Sequence, residues 1–135
     1  MRGEQSAVCR PIALAVACLV SALLGYGEAE AACKVSDVAI KSVRARFVNQ
    51  CRGSPCYYLK GVAVLTNRCA EAVGVEVKII GYDKASAAVA VRELRPASTR
   101  NIPPGDYTFS IDQWLDYDPE IKRFELTPVA VRRWR

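Results

Sequence analysis

The chain predicts an all-β fold, an antiparallel sandwich of about six or seven strands. Three observations lead there. Apolar and polar residues alternate in short runs, turn-forming clusters separate those runs by roughly 8 to 15 residues, and no helical stripe of useful length intervenes. The run "VEVKI" is the clearest: Val73, Val75, Val77 and Ile79 share one parity, and Glu76 and Lys78 take the other, as a half-buried strand requires. "YTFSI" repeats this with Tyr107, Phe109 and Ile111 against Thr108 and Ser110. "AVAVRE" around Val89 and Val91, and "RFELT" around Phe124 and Leu126, are shorter versions. "SDVAIKSVRARFVN" alternates with a slip. Val38 and Ile40 are in phase, whereas Val43, Ala45 and Phe47 fall in the other phase, so a bulge or change of partner is expected near Ser42. "CYYLKGVAVLTN" is apolar on both parities, which suits a central strand covered on each side. The turn signals are "RGSP", "NRCAEA", "YDKAS", "RPAST" and "NIPPGD". One stretch, "SIDQWLDYDPE", reads as a helical turn capped by Ser110 or Asp112 and ended by Pro119.

The start of the chain reads as a removable leader. Arg2 and Arg10 make a basic opening, Pro11 to Leu24 is uncharged and apolar, and Ala29-Glu30-Ala31 supplies a small-x-small pattern. This predicts a secretory signal peptide over 1–31, cleaved before Ala32. The apolar run falls short of the roughly 20 residues of a bilayer span. Neither Cys33, preceded by "EAA", nor Cys18, preceded by "AVA", has the Leu-led box of a lipid-acceptor cysteine. The expected mature part, residues 32–135, is one domain carrying 17 Lys and Arg against 11 Asp and Glu, a net +6. A periplasmic or secreted location follows from the leader.

The absence of histidine narrows the chemistry. It removes the usual general base, the usual zinc and copper nitrogen ligand, and every Ser-His-Asp or Cys-His arrangement. The sole methionine is the initiator, which removes a Met-rich copper site. No catalytic residue, metal ligand or cofactor site is expected.

Beyond the leader four cysteines remain, an even number in an exported chain, and so a disulfide pattern. A hairpin around "CRGSPC" puts Cys51 opposite Cys56 across four residues. The same pairing carries the start of the first strand towards the end of the second, bringing Cys33 near Cys69. Of three possible connectivities, hairpin geometry favours this nested one. The outer bridge closes the longer loop and should stabilise more, within roughly 2–4 kcal/mol. Zinc would want two close CxxC pairs, and a thioredoxin-like centre would want CxxC at a helix start; neither spacing is present.

From about Tyr58 to Val131 the chain resembles the FxLYD-type bacterial immunoglobulin-like domains. Gly61, Val64 and Asn67 stand for that pattern's "G…V…N" strand, "VEVKIIGYD" with Tyr82 and Asp83 for its Tyr-Asp strand end, and "IPPGDYTF" with Pro104, Gly105 and Phe109 for its PG turn. Ile79 and Gly81 replace the name-giving Phe and Leu, and the four cysteines are an addition. The resemblance implies an immunoglobulin-like sandwich and carries over no catalytic residue. Physically, Asp83 suits an Asx turn, Asn67 a similar service at its strand's edge, and Pro104-Gly105 the corners of a type II turn.

Two surface features remain. Asp112, Asp116, Asp118 and Glu120 gather in loop 112–120, which could hold calcium or another small ligand, although Trp114 and Leu115 interrupt the carboxylates and no EF-hand glycine is present. Lys41, Arg44, Arg46, Arg52, Lys60 and Arg68 form a basic face suited to an anionic envelope surface; nucleic acid is not expected of an exported chain with few stacking aromatics. The tail "VRRWR" reads as a frayed terminus. The expected function is therefore that of a non-enzymatic, exported interaction or structural domain meeting a protein or an anionic envelope surface. A ligand- or calcium-binding module is the alternative.

Overall fold

The computed structural model describes residues 32–135; the expected leader, 1–31, lies outside the described residues. A single 3-10 turn, Val35–Asp37, precedes six strands: β1 (Val38–Asn49), β2 (Tyr57–Asn67), β3 (Gly74–Tyr82), β4 (Ala88–Leu94), β5 (Gly105–Ser110) and β6 (Arg123–Arg132). They form two three-stranded antiparallel sheets, ordered β1-β2-β5 and β4-β3-β6. Leu59, Ala63 and Leu65 of β2 and Phe109 of β5 meet Val75, Val77 and Ile79 of β3 and Leu126 of β6 in one buried cluster. The sheets thus pack face to face as a sandwich. Among the described residues no helix is long and apolar enough to cross a membrane.

The expected slip in the first strand is present. The β1–β2 register shifts between Ile40 and Ser42, so Val38 and Ile40 on one side of the shift, and Val43, Ala45 and Phe47 on the other, all pack against the core. The nested disulfides are also present, Cys33–Cys69 with Cα atoms 5.6 Å apart and Cys51–Cys56 with 5.4 Å. Asp83 makes its Asx turn, accepting the amides of Ala85 and Ala87 at 2.8 and 2.9 Å. Asn67, almost fully buried, accepts the Cys69 amide at 2.9 Å and donates to the carbonyls of Glu71 and Ile102. Gly105 has φ +103°, the left-handed value its turn position requires.

Four expectations need correction. β2 is covered on one face only: on its outward parity Tyr58 is 40% exposed and Val62 48%. Val91 does not face the core: it is 56% exposed. The β3–β4 register shifts between Gly81 and Tyr82, and the unmatched Val89 moves Ala90, Arg92 and Leu94 opposite Gly81, Ile79 and Val77 on the core-facing parity. The segment after β5 is not helical. Gln113 adopts φ +59°, which no right-handed helix accommodates, and its amide donates to the Leu59 carbonyl at 2.9 Å. Asp112 does not cap a helix; its carboxylate takes the Gly61 amide at 2.9 Å.

The tail, finally, is not frayed. β6 runs to Arg132, and a register shift between Glu76 and Val77 admits Val129 as the extra residue. Beyond it Trp134 is held by a pair of bonds with Asn101: its amide donates to Asn101 Oδ1 at 2.9 Å and its carbonyl accepts from Nδ2 at 3.0 Å. The Arg95 guanidinium lies 4.4 Å from the indole centroid and that of Arg132 lies 5.4 Å away. Glu76 pairs with both arginines, at 3.0 and 3.2 Å. Gly74 allows this seat, since a Cβ there would overlap the indole.

Candidate binding surface

Alternation gives the outer face of the β1-β2-β5 sheet its chemistry. With Val43, Ala45 and Phe47 turned to the core, Ser42, Arg44 and Arg46 face outward. Register then sets Val64 beside Ser42, Val62 beside Arg44 and Lys60 beside Arg46, with Thr108 and Ser110 of β5 on the far side of the two valines. The outcome is a shallow depression of about 840 Å³ whose floor is valine and whose rim is cationic. Val62 is 48% exposed, unusual for an aliphatic residue on a central strand. Arginine stems lying along such a surface extend its apolar area while keeping their heads in water.

The charges on this face are not equivalent. Lys60 is paired with Asp112 at 2.7 Å. Lys41, released at the bulge, pairs with Asp106 on β5, which also accepts the Thr66 hydroxyl at 2.7 Å. Bonding to the lysines lowers both carboxyls below their ordinary value, with Thr66 helping at Asp106 and the Gly61 amide at Asp112. Arg44 and Arg46 enter none of the ion pairs of the described residues. Of the six basic residues expected together, only Arg44, Arg46 and Lys60 line the depression. Arg52 sits in the hairpin loop, and Arg68 lies past the opposite end of β2.

The acidic loop 112–120 does not act as one unit. Asp112 is engaged as described, and Asp118 accepts the Glu120 amide at 2.8 Å. Among the described residues the group that brings three metal-capable atoms within 4.8 Å is Cys33, Asp37 and Cys69, where the two sulfurs form a disulfide. Asp116 belongs instead to an aromatic neighbourhood. Tyr57 and Tyr117 stack at 4.4 Å and 22°, and Phe47 meets Tyr117 edge-on at 5.1 Å. Sequence reading missed this cluster because its members lie on three separate segments; the "CYY" following the hairpin turn was its one local trace. It also missed the Trp134 seat, which depends on the pairing of β3 with β6.

Comparison with family models, curated proteins and solved structures returned no match.

Proposed function

We propose that this protein is a non-enzymatic interaction domain of an oxidising, extracytoplasmic compartment, the periplasm or cell envelope, and that it docks on an anionic lipid surface through the outer face of β1 and β2. The observation that carries the reading is the juxtaposition of Arg44 and Arg46, free of ion pairs among the described residues, with a floor of exposed Val62 and half-buried Val64. Cations beside apolar groups fit an interface where phosphate headgroups border acyl chains. The two disulfides support the compartment, since thiols crosslink where the environment is oxidising. The expected leader and the FxLYD-type resemblance agree with an envelope domain and suggest no chemistry beyond binding.

Cosedimentation of the full chain, disulfides intact, with vesicles tests this. Vesicles containing phosphatidylglycerol should retain the protein, and pure phosphatidylcholine vesicles should not. Replacing both Arg44 and Arg46 with Ala should weaken retention about thirtyfold, near 1 kcal/mol per removed basic residue. Equal retention on neutral vesicles, or no change in the double variant, overturns the proposal.

A further inference from the structure

A second concavity lies at the hairpin end of the sandwich, apart from the arginine face. Tyr57 and Tyr58 open β2, Arg92 reaches in from β4, and Gln113, Asp116 and Tyr117 come from the segment after β5; together they line a notch of about 410 Å³. That volume is within the range of about 300–1,000 Å³ typical of small-molecule sites. The three tyrosines are 38%, 40% and 44% exposed, so ring surface remains open to a ligand. Two of them are also fixed in place: Tyr57 stacks on Tyr117, and Phe47 and its own edge-on partner Phe124 brace that stack from the core side. An aromatic surface already ordered binds with little further loss of conformational freedom.

The polar groups around it are of three kinds. Arg92 donates only, Asp116 accepts only, and the Gln113 amide does both. Neither Arg92 nor Asp116 is engaged in an ion pair of the described residues. One guanidinium and one carboxylate leave the notch without net charge, which disfavours a strongly ionic ligand. Gln113 holds the left-handed backbone, φ +59°, that glycine would adopt without strain. The chain thus keeps an amide-bearing side chain at a position where its backbone is strained.

We infer that this notch is a saccharide-binding site, in which a neutral pyranose ring lays its C–H face on the tyrosines and directs vicinal hydroxyls to Asp116, Gln113 and Arg92. A sugar ring supplies both requirements at once, an apolar face for stacking and a rim of hydroxyls that each donate and accept. The inference rests on different residues from the membrane-docking proposal and stands apart from it.

The test is a titration of the full chain, disulfides intact, with maltotriose and with triacetylchitotriose, followed by amide chemical shifts. At least one sugar should shift Tyr57, Gln113, Asp116 and Tyr117 saturably at or below about 10 mM, an ordinary affinity for a small neutral ligand. D116N and Q113A should each weaken that binding about tenfold, the effect of one lost hydrogen bond in a formed site, with the thermal midpoint unchanged. The Arg44/Arg46 double variant should bind sugar as wild type does. The inference is overturned by shifts elsewhere on the sandwich, by silence with both sugars, by wild-type affinity in D116N, or by stronger binding of inorganic phosphate at the same residues.

Discussion

The two ends of the sandwich contrast in how they treat their aromatic and polar groups. At one end Cys33–Cys69, Asn67, Asn101 and Trp134 close on one another: Asn67 bonds three backbone groups, and the indole is flanked by Arg95 and Arg132 above Gly74. At the other end the Cys51–Cys56 hairpin is largely exposed, and three tyrosines keep much of their surface in solvent. One end is closed by covalent and polar ties; the other is ordered but uncovered. Groups held in place yet left open are the ones available to a ligand, so the second end is where binding is sought.

The largest expected break in this contrast is covalent. Replacing Cys33 and Cys69 with Ser should lower stability by about 4 kcal/mol, and replacing Cys51 and Cys56 by about 2 kcal/mol, because loop-closure entropy grows with the 36- against 5-residue separations. Urea unfolding of the two double variants measures the difference; equal losses would mean the two ends are tied equally. Next is Gly74→Ala. Its methyl overlaps the indole, so Trp134 must leave its seat, at a cost of about 1–3 kcal/mol and with a red-shifted tryptophan emission. At the open end the sign reverses: Gln113→Gly relieves a left-handed backbone and should stabilise by about 1 kcal/mol, read as a raised thermal midpoint.

The smallest effect is set by pH. Asp106 and Asp112 titrate below their ordinary value of 3.8, so their contribution is present above that value and is lost as pH falls through the lower folded values. Stability should stay flat on this account down to about pH 4 and decline only below it. Lys41→Met and Lys60→Met together should flatten the acid limb; an unchanged limb would show that other carboxyls govern it.

Local periodicity made most of the core legible. Val73, Val75, Val77 and Ile79 are all buried as their alternation predicts, and the phase slip of β1 announced its bulge because apolar residues flank it on both sides. The bulges at Val89 and Val129 gave no such trace. "AVAV" and "PVAV" are apolar at every position or nearly so, and a sequence without contrast cannot reveal which parity faces inward. That the four cysteines crosslink followed from their even number behind an expected leader, and their nested pairing followed from hairpin geometry. The arginine face was visible as a strand parity, but its narrowing to Arg44, Arg46 and Lys60 needed the register. The notch and the Trp134 seat were hidden for a further reason: each assembles side chains far apart in the chain, and only the packed sheets bring them together.

The position of Lys41 has an evolutionary corollary. Substitutions along β1 can tune the arginine face one side chain at a time, because parity holds each residue to its side. Loss of the Lys41 codon would close the bulge: Ile40 and Ser42 would become neighbours still opposite Leu65 and Val64, so Arg44 and Arg46 would stay outward and Val43, Ala45 and Phe47 inward. The extra residue is thus a point of tolerance, where descendants of this domain can shorten the strand by one and keep both faces, whereas loss of one paired residue further along would turn over the side chains beyond it.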